Sequence, residues 1–193
     1  MPRLMIVIAS TRPGRVGLPV GQWFTGVAEE HGGFDLDVAD LAEIDLPFMD
    51  EPKHPRLREY QHAHTRAWSV RVDAADAFVF VLPEYNFGMT APLKNALDFL
   101  HSEWHYKPVG LVCYGGVAAG TRAAQMVKQV VTSLKMMPMF EAVQLPFVAQ
   151  FLDDERRLVP NDIMSAAAPA MLDELARWEE ALRPLRESAR ARS

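Results

Sequence analysis

The segment Ser10-Thr11-Arg12-Pro13-Gly14-Arg15-Val16-Gly17 sets two hydroxyls, two guanidiniums and two glycines between a buried-type apolar run and a helical pattern. Helix N-termini present free backbone N–H groups, and guanidiniums form charge-assisted hydrogen bonds, so a phosphate monoester suits this loop. No Gly-Lys-Ser/Thr follows, and the G-x-G-x-x-G spacing is absent. The loop is therefore neither a Walker-type loop nor a dinucleotide fingerprint. An ordinary strand–helix turn with solvent-facing arginines would have the same composition.

A second segment, Pro83-Glu84-Tyr85-Asn86-Phe87-Gly88-Met89, starts where Pro83 must end strand pairing, since proline donates no ladder bond. Aromatic and amide groups beside a glycine can hold a flat heteroaromatic ring by stacking, edge hydrogen bonds and close backbone approach. A polar turn with Tyr85 and Phe87 closing the core fits equally well. A third segment, Gly115-Gly116-Val117-Ala118-Ala119-Gly120-Thr121-Arg122, is a small-residue loop before a helix. It leaves room for a ring edge to meet backbone N–H groups, and Arg122 could attract a second anion. Alone the pattern is weak, because glycines also serve plain turns.

Other chemistry-bearing residues point elsewhere. Cys113, the sole cysteine, sits in the apolar run Val109 to Tyr114 and reads as a buried hydrophobe. His101 and His105 are four apart, but no third ligand is evident, so a surface or subunit-contact role is expected rather than a metal. His62 and His64, two apart on an expected helix, should face different ways. No G-x-S-x-G elbow supports a hydrolase. Glu84 and Asp98 read as a loop acid and a helix-surface acid.

These segments need elements to bring them together. Leu4 to Ala9 reads as a strand buried on both faces, followed by a helix with Val16, Val20, Phe24 and Val27 on one side, stopped at Gly32-Gly33. Phe34, Leu36 and Val38 alternate as a half-exposed strand. An acidic, proline-marked connector from Asp40 leads to a second helix, expected to bury Leu57, Tyr60, Ala63, Ala67, Val70 and Ala74. Ala77 to Leu82 is a buried strand, then comes a helix that Thr90 could cap. Val109 to Tyr114 is a fourth strand; Ala123, Val127, Val130, Val131 and Leu134 mark another helix. A last strand lies within Pro138 to Val148. Met164, Met171, Leu175, Trp178 and Leu182 line a final helix, with a frayed tail expected from Arg183 to Ser193.

Alternating strands and helices imply βαβ units and a parallel sheet covered on both faces. The chain is expected to form one domain, 1–193, of α/β class: a five-stranded parallel sheet of order 2-1-3-4-5. In such sheets ligands bind outside the carboxyl ends of the strands, near the switch in strand order. The segments after strands one, three and four should therefore be neighbours.

Together these segments resemble the NAD(P)H-dependent FMN reductase family, which includes quinone reductases. Pro83-Glu84-Tyr85-Asn86 followed by Leu93-Lys94-Asn95-Ala96-Leu97-Asp98 is similar to the family's P-E-Y-N…L-K-N-A-[IL]-D signature. Ile8-Ala9-Ser10-Thr11-Arg12 resembles its phosphate loop, and Asp40 to Pro47 its connector. The similarity runs from about Leu4 to beyond Leu134. It implies a flavodoxin-like three-layer αβα sandwich and FMN as cofactor. The phosphate would meet Ser10, Arg12, Arg15, Val16 and Gly17, and the isoalloxazine Pro83, Glu84, Tyr85, Asn86, Phe87, Tyr114, Gly115 and Gly116. Gly120 and Arg122 would meet the nicotinamide nucleotide.

The resemblance also implies ping-pong hydride transfer from NADPH or NADH, through the flavin, to a quinone, free flavin or similar acceptor. No side chain need be catalytic, because the cofactor carries the chemistry. Backbone N–H groups at Gly115 and Gly116 would stabilise charge on the reduced ring. Many members place Ser and Asn near Val16, Gly17 and Leu18, so Arg15 and backbone groups would carry more of the phosphate here. A homodimer, or a homotetramer, is implied, with the helix after the Pro83 loop at the interface; Leu93, Leu97, Leu100 and Trp104 form an apolar stripe consistent with that, though burial against the chain's own core would look the same. The alternative is a flavodoxin-type one-electron carrier, against which Arg12, Arg15 and the modest net charge of −5 weigh.

That net charge argues against a nucleic-acid partner. No uncharged apolar run approaches the roughly 20 residues a membrane span needs, and the N-terminus carries no signal-peptide pattern. A cytoplasmic location is expected.

Overall fold

The computed structural model describes residues 1–191. Five strands, β1 (Arg3–Ile8), β2 (Asp35–Asp40), β3 (Ala77–Pro83), β4 (Pro108–Tyr114) and β5 (Met137–Leu145), form one parallel sheet of order β2-β1-β3-β4-β5. The central strands β1, β3 and β4 are buried almost throughout, as a parallel sheet covered on both faces requires. Six α-helices connect and cover them: α1 (Gly17–His31), α2 (Leu41–Ile44), α3 (Ala63–Asp73), α4 (Ala91–Asp98), α5 (Thr121–Ser133) and α6 (Asp162–Arg190).

Alternate strand residues feed two cores. On one face Met5, Val7, Phe78 and Phe80 meet α3, α4 and α5 through Trp68, Leu93, Leu97 and Val127. On the other, Leu4, Ile6, Val79 and Val112 meet α1 and α6 through Val20, Phe24, Met171 and Leu175. Helix α1 ends at Gly32, whose φ of 66° gives the left-handed cap that glycine adopts without cost. Thr90 caps α4 by accepting from the Leu93 N–H, and its hydroxyl also donates to Ala9 O at 2.8 Å, tying α4 to the end of β1.

Three expectations are corrected and one open alternative is decided. The stripe Ala63, Ala67, Val70 and Ala74 on α3 faces outward; the helix buries Thr65, Trp68, Ser69 and Val72 instead. Polar partners decide this face: the Trp68 indole donates to Ala96 O at 2.9 Å, and Ser69 donates at 2.7 Å to Glu103, a carboxylate fully withdrawn from solvent. A buried charge demands such donors, which outweighs a run of alanines. His62 and His64 do not diverge. The chain is still extended at His62, before α3 begins, so the rings stack 5.2 Å apart beside Asp50.

The apolar stripe Leu93, Leu97, Leu100 and Trp104 lies inside the chain's own core, each residue no more than 2% exposed, so it faces no partner. The tail from Arg183 continues α6 as far as Arg190. Arg186 is buried against Glu179 and Asp76, and Arg183 pairs with Glu179. Arg192 and Ser193, the end of that expected tail, lie outside the described residues.

Candidate functional site

The strand order reverses between β1 and β3, so the loops leaving β1, β3 and β4 emerge side by side. Their contacts are direct. Ser10 Oγ lies 3.0 Å from Tyr85 Oη, joining the first loop to the second. The Glu84 N–H donates to Tyr114 O at 3.0 Å, carrying the β3–β4 ladder one step beyond the strands. Arg122, at the start of α5, donates from its backbone N–H to Glu84 Oε2 at 3.1 Å and from Nε to Oε1 at 2.5 Å.

In the first loop Thr11, Arg12, Pro13 and Gly14 are exposed, and Arg12 has no carboxylate partner among the described residues. Val16 is the N-cap of α1 and supplies no side-chain cap bond, so the first-turn N–H groups of Gly17 and Leu18 stay open, Pro19 having none. Arg15 behaves otherwise than expected. Its guanidinium turns back to Ser10 O at 2.6 Å and holds Asp40, at the end of β2, through bonds of 2.7 and 2.5 Å. It builds the loop rather than facing its mouth.

Gly17 is buried, and a Cβ there would lie 2.4 Å from the Tyr114 hydroxyl. That hydroxyl is itself buried with no hydrogen-bond partner among the described residues, and burial raises its pKa. An orphaned donor beneath an anion-type loop fits a ligand oxygen, because an unmade buried hydrogen bond costs about 1–3 kcal/mol.

Tyr85 and Gly88 exchange hydrogen bonds of 3.1 and 2.9 Å, closing a tight hairpin whose two tip residues, Asn86 and Phe87, have φ of 50° and 68°. Both signs match a type I′ turn, which suits asparagine and strains a bulky aromatic. Phe87 is 66% exposed, and the Arg122 guanidinium sits 3.8 Å from its ring centre. Arg122 is thus held between a carboxylate and an aromatic face, and its bond to Glu84 lowers that acid's pKa. Tyr85, 40% exposed, leaves a polar and aromatic surface beside the loop after β4.

In that loop the two glycines differ. The Gly115 N–H donates to Leu145 O at 3.2 Å, so it is not free for a ligand. Gly116 is exposed with open space around it, and its carbonyl accepts from Ala119 and Phe147. Only the Gly116 N–H of the pair remains available. Gly120, expected near a nucleotide, is buried against β4: its φ is 81°, and a Cβ would meet Tyr114 N at 2.6 Å. It and Arg122 are committed to the protein.

Three residues at the site escaped the sequence reading. Asp40 follows from topology, since β2 ends beside β1. Phe147, half exposed with φ of 46°, bonds to Gly116 from the loop after β5. Arg156 reaches Gly14 O at 3.0 Å from the same connection; no motif marks either one. Away from the site, His101 and His105 meet edge to face with ring centres 4.8 Å apart, and burial lowers both pKa values, that of His105 to about 4. Among the described residues no group of three or more His, Cys, Asp or Glu is arranged to hold a metal.

The sequence profile of the NADPH-dependent FMN reductase family matches residues 2–150. An NAD(P)H-dependent FMN reductase of Schizosaccharomyces pombe is 38% identical over 149 residues, covering 75% of this chain and 74% of that protein. An NAD(P)H-dependent FMN reductase of a Nectria species is 31% identical over 189 residues, covering 94% of this chain and 89% of the other. Among solved structures, the flavoenzyme NAD(P)H:(acceptor) oxidoreductase FerB of Paracoccus denitrificans superposes with a TM-score of 0.73 at 18% identity, over 94% of this chain and 98% of that one.

Proposed function

This chain belongs to the NADPH-dependent FMN reductase family, and from that premise we propose how its own residues serve an NAD(P)H-dependent FMN oxidoreductase. Bound FMN would supply a ring that accepts a hydride from NADPH or NADH and passes electrons to a quinone, free flavin or similar acceptor. The protein binds, orients and shields. Ser10, Arg12 and the open first turn of α1 would hold the FMN phosphate. Tyr114 Oη offers one further hydrogen bond from below.

Pro83 to Phe87 form a ledge along the ring, its height fixed by the Tyr85–Gly88 hairpin and by Glu84 clamped to Arg122. The Gly116 N–H would donate to the polar edge of the ring, where a donor would stabilise negative charge on the reduced cofactor. No side chain is assigned a proton-transfer step. The observation that carries this reading is the joining of the three loops at the strand-order switch, through Ser10–Tyr85 and Glu84–Tyr114.

Purified protein should release near-stoichiometric FMN on denaturation, and anaerobic NADPH or NADH should bleach its colour within seconds. Persistent colour with both nucleotides overturns the enzyme reading in favour of an electron carrier. Absence of FMN overturns the cofactor assignment.

The protein is further proposed to act in the cytoplasm as a homodimer. The single, buried Cys113, its thiol pKa pushed up to about 11 by burial, suits a reducing compartment. The dimer reading rests on Phe48, 84% exposed beside a cavity of about 490 Å³ formed with Leu41, Leu46, Ala91 and Pro92. A protruding aromatic next to a hollow is self-complementary under two-fold symmetry.

A further inference from the structure

We propose that Arg156, in the connection between β5 and α6, supplies a second cation to the phosphate of bound FMN; the inference rests on the placement of that phosphate at the β1–α1 loop. The loop itself offers that phosphate little positive charge. Val16, Gly17 and Leu18 offer no hydroxyl or amide, and Arg15 is held by Asp40. Arg12 alone faces outward.

Arg156 closes that deficit from the far end of the chain. Its Nη2 donates to Gly14 O at 3.0 Å across 142 positions. Together they line a cavity of about 510 Å³, whose charged members are Arg12, Arg15, Glu155 and Arg156. Glu155 is paired, with its carboxylate 2.7 Å from Arg157. Arg15 being neutralised by Asp40, the cavity keeps the two positive charges of Arg12 and Arg156. A guanidinium has five donors, and only one of those on Arg156 is used by Gly14.

The turn that presents Arg156 is built firmly. Asp153 Oδ1 accepts from the Glu155 N–H at 3.0 Å and the Arg157 N–H at 2.8 Å, while Oδ2 accepts from Arg157 Nε at 2.9 Å. The Arg156 N–H bonds to Asp153 O at 2.9 Å, and Arg156 itself has φ of 60°. A left-handed, non-glycine residue at a turn tip costs free energy, and such positions cluster at ligand sites. Nothing within the turn needs this side chain, which instead crosses to the phosphate loop.

The test compares FMN with riboflavin, which lacks the phosphate, by flavin-fluorescence titration of the full-length chain freed of flavin. Wild type should bind FMN much more tightly. Arg156→Ala should weaken FMN about tenfold, the loss of one charge-assisted contact, and riboflavin less than twofold. Arg156→Gln, which keeps a donor for Gly14 without the charge, should match Arg156→Ala; Arg156→Lys should recover most of the loss.

Equal weakening of both ligands, or full affinity in Arg156→Gln, would make Arg156 a tether for the loop and overturn the proposal. If Arg12→Ala removes the preference for FMN and Arg156→Ala does not, the phosphate placement stands and the proposal fails. If wild type itself binds the two flavins equally, the placement and the proposal fall together.

Discussion

Arg15 and Asp40, 25 residues apart, are joined by two nearly parallel hydrogen bonds of 2.7 and 2.5 Å, with side chains only 13% and 6% exposed. Asp40 ends β2 and also caps α2 through the Ala42 N–H. The pair therefore fixes the first loop against the neighbouring strand, and Arg15 in turn holds Ser10 O.

Removing one partner should be far worse than removing both. Arg15→Ala leaves a buried carboxylate without its counter-charge and should cost about 3–5 kcal/mol in urea unfolding, whereas replacing the pair together by Met and Leu should cost less, about 1–2 kcal/mol, chiefly the lost cap on Ala42. The double variant should still bind FMN more weakly than wild type, because the Ser10 loop loses its brace. A single Arg15→Ala variant as stable as wild type would refute the structural role.

Gly17 and Tyr114 make a second coupled pair. Gly17→Ala drives a methyl to 2.4 Å from Tyr114 Oη, and overpacking of this kind costs about 1–3 kcal/mol. Adding Tyr114→Phe removes the atom in the way and should restore most of the stability. Tyr114→Phe alone should leave the flavin-free chain unharmed, since its hydroxyl has no partner there, yet weaken FMN a few-fold by flavin titration. Additive losses in the double variant would mean that the two residues do not clash.

Much of this was legible in the sequence because parallel sheets write themselves plainly. Runs such as Ala77 to Leu82, buried on both faces, mark strands without ambiguity, and their alternation with helices dictates where loops converge. Partner choice was not legible. That Arg15 takes Asp40, that Arg122 takes Glu84, and that Gly115 gives its N–H to Leu145 depend on distances across the sheet. The face of α3 was misread for a related reason. Alanine and valine at helical spacing suggest a core, but the buried Glu103 and the Trp68 indole need particular partners, and that need is invisible to a hydrophobic pattern. Arg156 had no signal at all, being placed by a turn 142 positions from the loop it touches.

The Glu84–Arg122 pair predicts a pH dependence with a definite sign. Arg122 holds the Glu84 pKa below the usual 4.5, so the folded chain binds this proton less readily than the unfolded one. The stabilisation is then complete above pH 4.5 and is lost as pH falls through the lowered value. Thermal melts should show wild type losing stability below about pH 4.5 more steeply than Glu84→Gln. Parallel pH profiles for the two proteins would show that the pair contributes nothing.

Phe48 should govern self-association. Asn95 clamps the connector that carries it, donating from Nδ2 to Pro47 O at 2.7 Å and accepting from the Met49 N–H at 3.0 Å. A side chain 84% exposed on a backbone so fixed gains nothing within its own chain, whereas burial as an aromatic anchor is worth about 2 kcal/mol or more at an interface. Phe48→Ser should raise the dimer dissociation constant about thirtyfold in sedimentation or light-scattering measurements, and Asn95→Ala should raise it less, by freeing the connector. Phe140→Ser supplies the control, since Phe140 is 91% exposed at a register shift on β5, the opposite edge of the sheet from β2. Should Phe140→Ser dissociate the dimer while Phe48→Ser leaves it intact, the contact runs along β5, and the hollow beside Phe48 is open to another ligand.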